Sequence, residues 1–103
     1  MKTFKYHIYQ LDYSLPTVKN SHKMFASWDI LIKYEGGFDI KDYKEVYSGE
    51  IEGVSEKIIL EELFEQFNLR HPEDFHGHSM SVSDVVVLNG TMYYCDSIGW
   101  KKL

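Results

Sequence analysis

Three histidines, His71, His76 and His78, lie within eight residues of one another in an acidic part of the chain. The carboxylates in and after this segment are Glu73, Asp74, Asp84 and Asp96. Neutral imidazole and carboxylate together form a ligand set for zinc or iron. Their spacing matches no established metal-binding motif, and the one thiol, Cys95, lies in an apolar run. We therefore expect no metal and no other cofactor, and we expect His71 and His78 to hold their loop to the helix and the sheet through hydrogen bonds.

The same segment contains the residue types of a hydrolytic triad, Ser79, His78 and Asp84. Such chemistry requires a nucleophile in contact with a base that a third group orients. Neighbours in an extended chain point to opposite sides, so His78 is poorly placed to activate Ser79, and no strand-turn-helix elbow is present. Asp84 and Asp96 form a carboxylate pair only if a bulge interrupts the hairpin described below. The sequence predicts no catalytic residue.

Turn chemistry is the simpler role for these polar residues, because Asp and Ser side chains accept hydrogen bonds from backbone N–H groups one to three residues away. The residues with the spacing for that role are Asp74, Ser79, Ser81 and Asp84. Gly77 and Gly99 suit positions that need a positive φ or a close backbone approach. The segment is thus predicted to hold a loop and a hairpin together.

Strands are predicted in three parts of the chain. Residues 4–11 alternate between apolar and polar side chains, and residues 38–47 are rich in β-forming types and end at the turn signal Ser48-Gly49. Asn89-Gly90 separates two β-rich runs and predicts a hairpin over residues 81–98. A two-residue turn sets its register: Leu88 opposite Thr91, Val86 opposite Tyr93, and Asp84 opposite Cys95.

Two amphipathic helices are predicted, over residues 25–34 and 56–68. Gly36 and Gly37 end the first, and Ser55 is placed to cap the second. The fold class is therefore α+β, with a small antiparallel sheet built around the hairpin and both helices packed by their apolar stripes. The side chains expected to be most buried are Leu63, Phe67, Val86, Val87 and Tyr94.

Length and composition favour one soluble domain. The chain has 103 residues, 44% of them hydrophobic and 16% aromatic, and one core is efficient at that size, so residues 1–103 are expected to form a single domain. One cysteine excludes an internal disulfide, and no run approaches the roughly 20 apolar residues that cross a bilayer. We expect a cytoplasmic protein without membrane contact.

The net charge of the chain favours some classes of partner over others. Eleven basic and sixteen acidic residues give a formal charge of -5. Nucleic-acid affinity comes mainly from Lys and Arg on phosphates, so direct nucleic-acid binding is disfavoured. An acidic surface instead steers the molecule toward basic partners.

One long motif resembles a known family. The segment from His71 to Val86 is followed by Tyr93 to Trp100, and together they match the pattern HPxDFxGHSxSxxDVV and then YxxDSxG[FW] of the YodL-like family. The matching positions include His71, Asp74, Phe75, Gly77, His78, Ser79, Ser81, Asp84, Asp96, Ser97 and Gly99. The resemblance implies a small bacterial domain that also occurs within proteins of phages and integrative elements, and it implies no activity or cofactor.

The leading functional hypothesis is a non-enzymatic domain that binds a protein and regulates or inhibits it, as an accessory factor of a phage or mobile element. The second helix offers a candidate surface, because Ile58 is predicted to lie among Glu61, Glu62 and Glu65 opposite the apolar stripe. Packing of Ile58 on Val54 is the alternative. Trp100 is a further candidate contact. Two other classes stay open: a small metal-binding or hydrolytic enzyme that uses the loop from His71 to His78, and a small RNA-binding β-domain, which the charge opposes.

Overall fold

An antiparallel sheet of five strands organises the computed structural model, which describes residues 1–103. In chain order the strands are β1 (Lys2–Leu11), β2 (Tyr43–Gly53), β3 (Val85–Leu88), β4 (Thr91–Cys95) and β5 (Trp100–Lys102). The helices are α1 (Pro16–Lys19), α2 (Trp28–Tyr34) and α3 (Glu56–Leu69), with a 3-10 turn at Ile40–Asp42. The spatial strand order is β2-β1-β3-β4-β5. The predicted α+β class and antiparallel sheet are confirmed.

The second strand differs from its prediction. It begins at Tyr43 instead of residue 38, and it continues through Ser48 and Gly49, where a turn was predicted. Gly49 lies opposite Tyr6 of β1, and a Cβ on Gly49 would meet the Tyr6 hydroxyl at 2.7 Å. The glycine therefore makes room for a tyrosine ring inside a strand. The ladder between β1 and β2 shifts register at Ile8, which leaves Val46 as an extra residue in β2.

The predicted hairpin register is confirmed at Leu88 with Thr91 and at Val86 with Tyr93. The first strand is shorter than predicted because residues 81–84 form a turn, in which the Asp84 N–H donates to the Ser81 carbonyl (3.1 Å). Ser83 then takes the left-handed position of a bulge, with φ 85°, and its N–H donates to the Cys95 carbonyl (2.9 Å). The second strand ends at Cys95, and the turn after it leads into β5, which was not predicted.

The long helix is confirmed, and the Ser55 side chain accepts from the Ile58 N–H (3.4 Å) at its N-terminus. The other predicted helix starts three residues late, at Trp28, where Ser27 is the capping residue. Phe25 has φ 60°, a left-handed conformation that cannot begin an α-helix, and its side chain is 60% exposed. Its N–H donates to the Ser83 hydroxyl (3.2 Å).

The two faces of the sheet are covered by different helices. Alternate residues of β1 and β3 pack with α3 in a cluster that includes Phe4, Tyr6, Ile8, Val86, Leu88, Ile59, Leu63 and Phe67. The opposite face packs with Ala26 and Leu31 through Val85 and Tyr94. Four of the five predicted core residues, Leu63, Phe67, Val86 and Tyr94, are fully buried, whereas Val87 is only partly buried and packs against the smaller cluster of Ala26, Leu31, Val85 and Tyr94. None of the helices combines the length and apolar character that crossing a bilayer requires.

Candidate functional site

The histidine loop, residues 71–84, is attached to the sheet by the side chain of Gln10. Gln10 is 2% exposed near the end of β1, on the face that packs with α3. Its Nε2 donates to the His78 carbonyl (2.8 Å) and to Asp84 Oδ2 (3.1 Å), and its Oε1 accepts from the His78 N–H (3.2 Å). One amide thus joins the backbone of the loop to the start of the hairpin.

Asp84 is the buried charge of this junction, with 1% of its surface exposed. Its Oδ2 also accepts from the Ser81 N–H (3.0 Å), which is the turn chemistry that the spacing predicted. Burial raises the pKa of Asp84 to about 7, against the opposing effects of the Ser81 N–H, the charge of His78 and the Gln10 amide. The carboxyl group therefore titrates near neutral pH.

His78 is hydrogen-bonded to the sheet through Gln10, as predicted, whereas His71 bonds only within the loop. His78 Nδ1 lies 2.7 Å from the Ser79 carbonyl, and since a carbonyl only accepts, Nδ1 carries the hydrogen. The hydrogen bonds of His78 to the sheet therefore run through its backbone, and its ring Nδ1 also lies 3.3 Å from Gln10 Nε2 of β1. His71 Nδ1 contacts the Pro72 carbonyl (3.0 Å), also within the loop, and its ring lies 5.6 Å from that of Phe75. The His76 side chain is exposed.

Other motif residues fix the two ends of the junction. Asp74 Oδ1 accepts from the Tyr47 hydroxyl (3.0 Å), which ties the loop to β2, and Phe75 packs against Phe67 at 4.9 Å between ring centroids. Asp96 Oδ1 accepts from the Trp28 N–H (2.9 Å) and from the Ser97 N–H (2.8 Å). The first of these bonds anchors the start of α2 to the turn before β5.

The two glycines of the motif serve different needs. A Cβ on Gly77 would meet Gln10 Oε1 at 2.5 Å and the Phe75 ring at 2.8 Å, so close packing excludes a side chain there. Gly99 has open space around it but has φ 71°, a conformation that side chains disfavour.

The loop does not assemble the catalytic contacts considered from the sequence. His78 bonds the carbonyl of Ser79 and not its hydroxyl, and the bonds of Asp84 go to Gln10 and Ser81. No three His, Cys, Asp or Glu side chains are grouped so that they could hold a metal ion. Asp84 and Asp96 bond to separate partners. The Ser81 hydroxyl is buried without a hydrogen-bond partner.

The outer face of α3 carries the second set of predicted residues. Ile58 is 48% exposed, and Glu61, Glu62 and Glu65 are exposed beside it. A shallow groove of about 510 Å³ is lined by these four residues together with Lys57 and Phe64. It adjoins a groove of about 380 Å³ toward β2, which shares Glu62 and Glu65 with it.

A third groove, of about 370 Å³, runs between α3 and the hairpin of β4 and β5. Trp100 lines it and is partly buried, with its ring edge-to-face with that of Phe64 at 6.5 Å. Glu61 lines both this groove and the shallow one. The structure therefore brings Trp100 next to the acidic face, as part of one continuous surface.

Some residues of these sites were not predicted. Gln10 follows Phe4, Tyr6 and Ile8 at the inward-facing positions of β1. A polar residue at a position that the alternation assigns to the core was the signal that could have identified it. Outside these sites, no feature of the sequence indicated the partly buried ion pair of Lys23 and Asp42, whose Nζ and Oδ2 atoms lie 2.8 Å apart.

Fold and junction together define a small α+β domain in which a sheet covered on both faces is closed at one end by a hydrogen-bonded polar loop. The chain belongs to the YodL-like domain family, whose model matches residues 5–103. No curated protein and no solved structure matches it.

Proposed function

We propose that this chain is a non-enzymatic interaction domain that binds another protein through the outer face of α3 and thereby regulates or inhibits it. The observation that carries the proposal is the row of adjoining grooves on that face, lined by exposed carboxylates. These carboxylates are Glu56, Glu61, Glu62 and Glu65. The cations along the same grooves are Lys57 and Arg70.

The charges of this face are available to a partner. Among its carboxylates Glu65 has a salt-bridge partner, Arg70, at 3.7 Å, and both side chains are well exposed. An exposed ion pair of this kind contributes little and is readily exchanged. A partner with a basic surface gains steering from the glutamates, and Ile58 supplies an apolar contact at the centre. By analogy with the family, the partner would be a host protein and this chain a factor of a phage or mobile element.

Charge reversal on α3 tests the proposal. The wild type, Ile58→Asp, and a variant with Glu61, Glu62 and Glu65 all changed to Lys are used to capture proteins from the native host. The most enriched protein is then purified, and its affinity for each variant is measured by calorimetry across a salt series. The matched control changes three exposed glutamates elsewhere, Glu50, Glu52 and Glu73, to Lys.

We expect the α3 charge reversal to weaken binding by at least about tenfold at low salt, with a smaller effect at high salt because exposed charges are screened. Ile58→Asp should weaken binding at every salt concentration, and the control should bind like the wild type. If both α3 variants keep the wild-type circular dichroism spectrum and the wild-type affinity throughout, this face is not the interface.

A further inference from the structure

The groove between α3 and the hairpin of β4 and β5 has one acidic wall and one aromatic wall. Glu56 and Glu61 project from the helix, and Tyr93 and Trp100 come from the strands. Leu60 closes the floor as a buried aliphatic residue. Carboxylates beside aromatic rings are complementary to an organic cation.

The aromatic wall is held by the sheet. Trp100 pairs with Cys95 in the ladder, and Tyr93 pairs with Lys102, so both rings stand on the same face of the hairpin. The contact with Phe64 fixes the indole from the helix side. Both rings also pack against the core cluster beneath the sheet, which restricts their side chains before a ligand arrives and lowers the entropic cost of binding.

The carboxylates of the acidic wall are close enough to the aromatic wall to interact with it electrostatically. Glu56 and Glu61 are exposed, and neither forms a salt bridge in the structure. Burial, followed by the negative charge of Glu56, raises the pKa of Tyr93, which places that carboxylate within electrostatic reach of the phenol. Lys57 lines the same groove and opposes a bound cation with one positive charge.

An arginine side chain fits these walls better than a lysine side chain. A guanidinium group is planar and stacks on an aromatic ring, and its fork donates two parallel hydrogen bonds to a carboxylate. A lysine ammonium group is strongly hydrated, does not stack on a ring as a plane, and cannot donate two parallel hydrogen bonds to one carboxylate. We propose that this groove binds an arginine side chain presented by a partner protein. The inference rests on the proposed function and specifies one anchor of its interface.

The test is a titration of 15N-labelled protein with Nα-acetyl-arginine amide, followed through the indole N–H of Trp100 and the backbone amides of Glu61 and Gly99. Matched probes are the lysine analogue and the citrulline analogue, which has the shape of arginine without its charge. We expect saturable shifts with arginine, and binding about tenfold weaker with citrulline because charge-assisted hydrogen bonds are lost. The lysine analogue should bind at least about threefold more weakly than the arginine analogue, because an ammonium group cannot stack on an aromatic ring as a planar guanidinium group does.

Substitutions in each wall of the groove test its contribution to arginine binding. Changing Glu56 and Glu61 together to Gln should weaken arginine binding by about 10- to 100-fold, and Trp100→Leu by about 3- to 30-fold, with partial recovery in Trp100→Phe. Lys57→Met should strengthen binding, because it removes the opposing charge. The control changes Glu62 and Glu65 to Gln, which removes the same charge from the adjoining grooves and should alter affinity less than about twofold.

Equal binding of citrulline and arginine, or an equal loss in the control variant, would overturn the inference. Tighter binding of free L-arginine than of the blocked analogue would assign the groove to a free amino acid instead of a protein side chain, and it would overturn the inference too. Absence of arginine binding while the α3 charge reversal still abolishes partner binding refutes this inference alone. Arginine binding without any α3-dependent partner refutes the proposed function.

Discussion

Asp84 gives the junction a defined dependence on pH, and Asp84→Asn isolates it. The carboxyl group is 1% exposed and has a pKa of about 7, against an ordinary value of 3.8. The folded state therefore keeps a proton that the unfolded state releases as pH rises. The contribution of Asp84 to stability is fully present below pH 3.8, declines between 3.8 and 7, and stays constant at its lowest value above 7.

The size of the effect follows from the two pKa values. About three units at about 1.36 kcal/mol per unit give a span on the order of 4 kcal/mol. Between pH 5 and pH 8, the part of that span that can be measured is roughly 2–3 kcal/mol. The side-chain amide introduced by Asp84→Asn cannot ionise, so the free energy of unfolding of the variant minus that of the wild type should rise by this amount over the same pH range.

Urea denaturation at half-unit steps from pH 5 to pH 8 measures the difference directly, because stability changes appear in the midpoint at constant m-value. Glu50→Gln serves as the control, since Glu50 is exposed on β2 and makes no hydrogen bond through its side chain. The substitution also alters hydrogen bonds, which would add a constant amount to the difference in unfolding free energy at every pH. Such a constant amount does not change the expected rise with pH. A difference that stays flat with pH, or that falls as pH rises, refutes it.

Three further predictions concern the packing of the fold, and each is tested by chemical denaturation. Leu63→Ala should cost about 2–5 kcal/mol, because Leu63 is fully buried and its loss leaves a cavity; an unmoved midpoint would contradict the core assignment. Gln10→Ala should cost roughly 2–4 kcal/mol by leaving buried partners unpaired, whereas His78→Ala should cost less than about 1 kcal/mol, since its hydrogen bonds to Gln10 run through the backbone and are kept; the reverse order would show that the ring anchors the loop. Gly49→Ala should cost about 1–3 kcal/mol by displacing the ring of Tyr6, since Gly49 has no positive φ that would itself strain an alanine; an unchanged midpoint would contradict the close contact.

Local signals account for the parts of the fold that could be predicted. Asn89-Gly90 sets the hairpin register because few residue pairs adopt the turn it requires, and both residues do have positive φ. Ser55 marks the start of α3 because its hydroxyl accepts a backbone hydrogen bond there. Each signal depends on residues within a few positions of itself.

Elements that depend on distant partners could not be predicted in the same way. Ser48-Gly49 has the composition of a turn, and only the ring of Tyr6 across the ladder shows why a glycine stands in a strand. The strand after Cys95 has three residues, too few for a periodicity to be seen. The helical periodicity of α3 predicted the exposed glutamates of the candidate surface. The position of Trp100 beside them could not be predicted, because Trp100 belongs to the three-residue strand β5.

The spatial strand order has a consequence for how the chain reaches its fold. The first strand lies inside the sheet, where Tyr6 pairs with Gly49 on one side and with Leu88 on the other. Pairings between residues so far apart in sequence close long loops, and closure of such loops slows folding. During synthesis β1 emerges well before either neighbour, and its second edge stays unpaired until β3 is made. The unpaired edge of this strand can associate with other chains before β3 is made, so refolding yield should fall as protein concentration rises.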